Sequence, residues 1–492
     1  MNRPSGPTGF LLVTLVLLWI VPSSGRPAVA APQPTGESDA SMGTVGSDAP
    51  VPSTDPNSLS FGDAVLLLEK NSRHLMAAAD RENARRQERG AARGLRLPTV
   101  QLKARATRID ESIVIDLDPI RSAMLALHPT VPSAAIPPFE SQIQDDQFFK
   151  AGVEMTWPIF TGGAITAANR AADARLSDAQ EQTRSVEQSL HATLVERYFG
   201  VCLAEQARNI RRQVQTGMEQ HLYQAVRLEA EGMISRAERL HAEVSQAEAA
   251  RELQAAEQDV LLAKAALRAL LHEQLDPRPS SKLFVVHDLP SLEVMQHDAV
   301  GANPNLLRLE AQQKLAESAV SVERADYLPD VALFARYELY PDDLTELDPR
   351  WAAGIGLQLN IFDGFARGHR VSAARATASM VDHARQGAQN DIALLVEHNY
   401  RRVVKAVEQF DTLEATIELA TENLRVRTRA FEEGMATSLD VVDAVNMLSG
   451  VELAQLGAAH DFVTSLAELL AATGHAESFA DYMQKADVEV TS

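Results

Sequence analysis

Trp157-Pro158-Ile159-Phe160-Thr161-Gly162-Gly163 is answered farther along the chain by Asn360-Ile361-Phe362-Asp363-Gly364-Phe365. The two leading phenylalanines, Phe160 and Phe362, lie 202 positions apart. The same offset carries Tyr198 to Tyr400, and Glu231-Gly232-Met233-Ile234-Ser235 to Glu433-Gly434-Met435-Ala436-Thr437. A spacing kept without a gap from 160 to 232, and again from 362 to 434, marks a duplicated structural unit. Each phenylalanine stretch is also a change of period. Before it apolar and polar residues alternate, and after it apolar residues recur every three or four positions, so it reads as a strand-to-helix junction.

Upstream of the junctions, each half opens on a helical pattern that stops at a Leu-Pro, because the residue before proline is pushed out of the α region. The first runs from Ser60-Phe61-Gly62-Asp63 to about Gly94, ending at Leu97-Pro98. The second runs from about Asn303 to Leu328-Pro329. Two-faced strands follow. Val100, Leu102, Ala104 and Ala106 oppose Gln101, Lys103, Arg105 and Thr107, and Phe149, Ala151, Val153, Met155, Trp157 and Ile159 oppose Lys150, Gly152, Glu154 and Thr156. In the second half Val331, Leu333, Ala335, Tyr337 and Leu339 oppose Arg336 and Glu338. Ala353, Ile355, Leu357, Leu359 and Ile361 oppose Gly354, Gly356, Gln358 and Asn360.

Strands of about nine or ten residues suit an outer-membrane barrel, with apolar side chains to lipid and polar ones to a lumen. A half-buried soluble sheet shows the same alternation. An export signal and the lack of a spare apolar helix to cover the apolar faces favour the barrel. Four strands cannot close, since the smallest barrels use about eight, so several chains must contribute. The first strand pair carries an insert around 109–147 with Pro119, Pro129, Pro132, Pro137 and Pro138, read as a longer external loop or irregular hairpin. The second connection, Pro341–Arg350, is short and acidic.

Downstream of each junction the helical pattern lasts about 65–70 residues, a length of about 100 Å. Leu203, Ala207, Ile210, Val214, Met218, Leu222 and Ala225 line one face of the first such helix. A turn follows at Gly232 or Gly434, where a non-helical backbone is cheapest, and a helix of about 40 residues returns to Leu271 or Ala472. Ser235 and Thr437 are placed to cap the returning helices, with Glu238 and Asp440 completing capping boxes.

The chain has 492 residues, 67 acidic against 46 basic, for a net charge of −21. Without a basic cluster, nucleic acid is not an expected partner. Aromatic content of 5%, with alanine, glutamate, glutamine, leucine and arginine crowded into 163–275 and 366–473, is the composition of long helices in coiled-coil contact. Arg3, the apolar run Phe10–Val21 and Ala28-Val29-Ala30 read as an export signal over 1–30. The expected organisation is then a disordered lead-in at 31–58, a first repeat at 59–275, a linker at 276–289, a second repeat at 290–474 and a flexible acidic tail at 475–492. No transmembrane helix is expected. Cys202 reads as a small buried side chain, and His191, His221 and His241 as surface helix residues rather than ligands. No Walker loop, His-Glu-x-x-His, paired cysteines or Gly-x-Ser-x-Gly elbow is present, so catalysis, a cofactor and a metal site are not expected.

The duplication, the Leu-Pro strand entries, the two junctions and the Gly-x-x-Ser/Thr turns, in this order from about Leu59 to Gly474, resemble the TolC-like outer-membrane efflux proteins. The resemblance implies an α+β membrane protein: a homotrimer in outer-membrane lipid, each chain giving four strands to a 12-stranded barrel. Long antiparallel helical hairpins would form a periplasmic α-barrel narrowing at the Gly232 and Gly434 turns. It implies a passive exit duct for efflux or type I secretion, working with a periplasmic adaptor and an inner-membrane pump. The family's ring of aspartates falls on Asp440 and Asp443, where like charges favour cations or raised pKa values. Glu238 would brace neighbouring helix pairs, and the turns holding Gly232, Ser235, Gly434 and Thr437 would meet the adaptor. The sequence departs from the pattern at Phe431 and Ala436, where well-described members carry a tyrosine and an arginine. A periplasmic coiled-coil scaffold or adaptor is the alternative, and it leaves the two-faced strands unexplained.

Overall fold

The computed structural model describes residues 58–490 apart from 138–139, 274–275, 342 and 346–347, so the expected export signal and nearly all of the lead-in lie outside the described residues. A short strand β1 (Ser58–Leu59) leads into helices α1 (Phe61–Asn71) and α2 (Arg73–Gly94). The single helix expected through Gly94 is therefore two. Ser72 takes extended backbone between them, and its hydroxyl accepts from Leu75 N as the cap of α2.

Strand β2 (Thr99–Arg108) then enters the insert, which is more ordered than a loop. Strand β3 (Ile113–Asp116) pairs antiparallel with β4 (Glu140–Gln144), and helix α3 (Asp118–Leu127) rides between them. Pro119 sits in the first turn of α3, where a missing N–H costs nothing, so one of the prolines read as loop punctuation starts a helix.

Strand β5 (Gln147–Thr161) is followed by helices α4 (Ala164–Ala230) and α5 (Arg236–Leu271). The connection carries β6 (Arg278–Pro279) and β7 (Leu283–Val285), and the second half runs α6 (Leu292–Ala302), α7 (Pro304–Ala325), β8 (Asp330–Glu338), β9 (Trp351–Gln358), α8 (Ala366–Glu432) and α9 (Ser438–Thr473). Helices α4 and α8 are both 67 residues long, and α5 and α9 both 36. Every one of their ends keeps the 202-residue offset. Helix α10 (Phe479–Gln484) and strand β10 (Val488–Val490) close the chain.

The principal sheet is antiparallel in the order β2-β5-β8-β9, which leaves β2 and β9 as open edges. Its register places Lys103, Arg105, Lys150, Glu154, Arg336 and Glu338 on one face. The other face holds Val100, Leu102, Leu333, Ile355 and Leu357 and is largely uncovered, with Leu102 70% and Ile355 71% exposed. Strands β8 and β9 end before Leu339 and Leu359. Phe334 lies on the polar face, where its ring covers Gly354 so closely that a Cβ there would sit 3.0 Å from Phe334 Cζ. Open edges and a bare apolar face of this kind call for further pairing and for an apolar cover. No helix among the described residues is long and apolar enough to cross a membrane.

The largest core lies where both halves meet, away from the sheet. Phe61, Tyr198, Phe199, Phe284, Phe462 and Phe479 pack there with ring centroids 5.1–6.0 Å apart. Tyr198 Oη donates to the Leu59 carbonyl at 2.7 Å and accepts from Ser281 N at 3.0 Å. The segment 276–289 is more than a linker, since Leu283, Phe284, Val285 and Val286 are all buried. The segment 475–490 is not a flexible tail: Phe479 is buried and β10 pairs antiparallel with β7. Cys202 is buried as expected, its thiol near the Ser281 carbonyl at 3.4 Å and pushed up to about 12 by desolvation.

Candidate gate at the hairpin turns

Helices α4 and α8 end in the same backbone motif. Gly232 (φ 75°) and Gly434 (φ 73°) take the left-handed conformation. Met233 N donates to Leu228 O at 2.9 Å and Met435 N to Ala430 O at 2.8 Å, with Gly232 N to Glu229 O and Gly434 N to Phe431 O inside them. These paired bonds satisfy the last helical carbonyls and need a residue free of Cβ strain. Ser235 and Thr437 then cap the returning helices, their hydroxyls accepting from Glu238 N and Asp440 N at 3.3 Å.

Beyond the caps the turns diverge. Asp440 closes its box: Oδ2 accepts from Thr437 N at 2.9 Å and from Thr437 Oγ1 at 2.7 Å. Its Oδ1 accepts from Arg427 Nη1 of α8 at 3.0 Å. The Thr437 hydrogen bonds, with Arg427 adding to them, hold the Asp440 carboxyl below the usual carboxylate range. Within the chain, then, Asp440 is kept ionised by its cap, contrary to the raised value that repulsion alone would give. Asp443 is exposed on the next turn of α9.

Glu238 does not complete its box. Its Oε2 instead accepts from Ser438 N at 2.7 Å, joining the first hairpin to the start of α9. Ser438 is fully buried, and its hydroxyl lies 2.7 Å from His221 Nε2. His221 is also buried, its ring centroid 4.6 Å from that of Phe431. The surface placement expected for His221 is therefore wrong. It stands three residues after Met218 and four before Ala225, on the apolar face of α4, and that spacing is the signal that could have found it. Phe431, which lacks the hydroxyl of the family pattern, packs here as an apolar side chain. Desolvation lowers the pKa of His221, His241 pushes the same way, and Glu238 opposes both.

Gly232, Ser235 and Glu238 thus meet Gly434, Thr437 and Asp440 at one end of the hairpins. Met233 Cε would be 3.5 Å from a Cβ on Gly434. The junction residues Phe160, Gly162, Phe362 and Gly364 sit at the far end of α4 and α8, about 100 Å along the helices. Phe362 and Phe365 stack edge to face at 5.5 Å, Trp157 Nε1 donates to the Arg96 carbonyl at 3.0 Å, and the Arg367 guanidinium lies 4.9 Å from the Tyr327 ring centre. Trp157 and Tyr327, each an apolar ring with a polar end, are of the side-chain types enriched at membrane interfaces. Among the described residues no group of three or more His, Cys, Asp or Glu side chains is placed to hold a metal ion.

This architecture is shared with known proteins. The structure superposes on CusC, solved in a study of transmembrane channel formation, with a TM-score of 0.71 at 12% identity, covering 84% of this chain and 91% of that one. In sequence the chain is 26% identical over 352 residues to Protein CyaE of Bordetella pertussis, covering 68% of each. It is 28% identical over 314 residues to the cobalt-zinc-cadmium resistance protein CzcC of Cupriavidus metallidurans, covering 62% of this chain and 72% of the relative. The family model described as outer membrane efflux protein matches twice, over residues 65–272 and 296–475, which are the two repeats. The chain belongs to the outer membrane efflux protein family, whose members are channels of the outer membrane reaching into the periplasm.

Proposed function

We propose that three copies of this chain form a passive exit duct that receives cargo from an inner-membrane pump through a periplasmic adaptor. The observation that carries the reading is the open-edged β2-β5-β8-β9 sheet, with a bare apolar face, joined to hairpins about 100 Å long. Edge β9 of one copy meets edge β2 of the next, and closure by three copies leaves no unpaired edge. Polar side chains such as Lys103, Arg105 and Glu154 then face the lumen. The duct performs no chemistry and needs no cofactor.

Asp440 and Asp443 are the gate, and the turns around Met233 and Met435, 51% and 72% exposed, are the surface offered to the adaptor. Two carboxylates per copy around a narrow opening attract cations and resist anions. The test is assembly and conduction. Heat-resistant trimers in the outer-membrane fraction, conducting ions in a planar bilayer, support the duct. A water-soluble monomer or dimer without conductance would support a coiled-coil scaffold instead.

A further inference from the structure

Five residues below the Asp443 ring position, the two hairpins are fastened through Ser438, and the fastening is built around an imidazole. Ser438 gives its N–H to Glu238 at 2.7 Å and its hydroxyl to the 2.7 Å contact with His221 Nε2. His221 is 4% exposed, and its Nδ1 is buried with no hydrogen-bond partner. Of the two neutral tautomers, the one in which Nε2–H donates to Ser438 Oγ and Nδ1 stays bare leaves no buried N–H without an acceptor. A second proton would bury a charge and leave an N–H without an acceptor.

The neighbours offer little compensation. Helix α8 presents the Phe431 ring to His221 and α9 the Ser438 hydroxyl, neither of them charged. Helix α5 presents Glu238, already holding Ser438 N, and His241, whose own Nδ1 is buried and unpartnered. At the 202-residue offset His241 corresponds to Asp443 and Glu238 to Asp440, so the first repeat carries a glutamate and a histidine where the second carries the acidic pair.

We propose that His221 is a proton-operated latch between the hairpins: neutral, it holds the start of α9 against the first hairpin, and protonated, it releases Ser438 and lets the gate widen. The proposal rests on the reading of Asp440 and Asp443 as the constriction. Burial lowers the pKa of His221 in the packed state below its ordinary value of about 6.5. The packed arrangement is therefore fully favoured above about pH 6.5, and it loses that preference as the pH falls from there through the lowered packed-state value. Raising the pH further changes nothing at this site.

The experiment compares trimers of the wild type, His221→Gln and the pair Asp440→Asn with Asp443→Asn, in planar bilayers at about pH 7.5 and about pH 5. Glutamine keeps an N–H for Ser438 and cannot take a proton. Wild-type conductance should rise several-fold in acid while His221→Gln stays low at both values. An equal acid rise in His221→Gln overturns the latch, and if that rise disappears in the asparagine pair it belongs to the carboxylate ring. Amide hydrogen exchange over 431–445, corrected for the intrinsic pH dependence, gives a readout that needs no conduction. It should quicken several-fold in acid in the wild type and not in His221→Gln, and identical behaviour of the two overturns the proposal. If conductance fails to respond while exchange does, the latch stands and the constriction reading fails. Should His221→Gln not assemble, Ser438→Ala serves: it should raise conductance at about pH 7.5 and shrink the acid response, and a wild-type profile contradicts the latch.

Discussion

At the first hairpin turn Glu238 leaves its own cap to hold Ser438 across the interface, whereas at the second Asp440 folds back on Thr437 and takes Arg427 as well. The backbones around them are the same: a glycine near φ 75°, a pair of bonds closing the helix and a hydroxyl cap three residues on. Duplication has thus preserved what the chain needs to reverse direction and released the side chains to specialise. One turn braces the hairpins. The other keeps Asp440 on its own cap and leaves Asp443 exposed on the next turn.

The junctions at the opposite end show the same division, and they give the largest expected effect. At Gly162 (φ 58°) a Cβ would lie 2.5 Å from the Ala325 carbonyl oxygen and 2.9 Å from Leu328 Cβ, whereas nothing lies within 4 Å at Gly364 (φ 68°). Gly162→Ala therefore combines a backbone clash with left-handed strain and should abolish or sharply reduce trimer yield. Gly364→Ala should cost only the strain, about 1–2 kcal/mol. Thermal melting of the two variants checks this, and equal losses would mean that the junctions are equivalent after all.

At the turns, Glu238→Ala removes the acceptor of the buried Ser438 N–H and should cost about 1–3 kcal/mol. Asp440→Ala removes the third-position half of an exposed capping box, leaves the Thr437 cap in place, and should cost less. Denaturant midpoints separate the two, and a larger loss at Asp440 would reverse the assignment of brace and gate.

The smallest effect concerns the C-terminal segment, which only one end of a duplicated chain can have. His287 places Nε2 3.1 Å from Asp411 Oδ1 of α8 and Nδ1 3.3 Å from Asp487 Oδ2, while its backbone N–H donates to Asp487 at 2.9 Å. The hydrogen bond to Asp411, with that to Asp487, raises the pKa of this exposed imidazole. A raised value means stabilisation that is complete below about pH 6.5 and lost as the pH climbs through the higher folded-state value. Hydrogen exchange in β7 and β10 should therefore quicken slightly on the alkaline side, beyond the intrinsic increase. His287→Gln should remove that extra dependence.

The legible parts of this molecule are those set by short-range signals. The alternation that makes four two-faced strands, the glycines that end α4 and α8, and the hydroxyl caps of α5 and α9 are all local, and the offset transfers each from one repeat to the other. Features settled by distant neighbours were hidden. At the break between α1 and α2 the helical pattern continues on both sides, while Asn71 donates to the distant Leu271 carbonyl, and Phe479 is buried only because Phe61, Phe199 and Phe284 converge on it. Phe334 shares the polar face with Arg336 and Glu338 by alternation, and what lay hidden is that Gly354, opposite it on β9, leaves room for its ring. Glu238 has the spacing of a capping-box acid, and nothing near it in the sequence shows that Ser438 competes for its carboxylate. His221 was half legible, since its place on an apolar stripe was visible while its partner 217 residues away was not.

The most direct test of a gate on the second turn is the single-channel conductance of trimers carrying Asp440→Ala with Asp443→Ala, measured against wild type in planar bilayers. A gate at these aspartates predicts a higher conductance and a weaker cation preference in the variant. Unchanged conductance and selectivity, in trimers of normal stability, would contradict it.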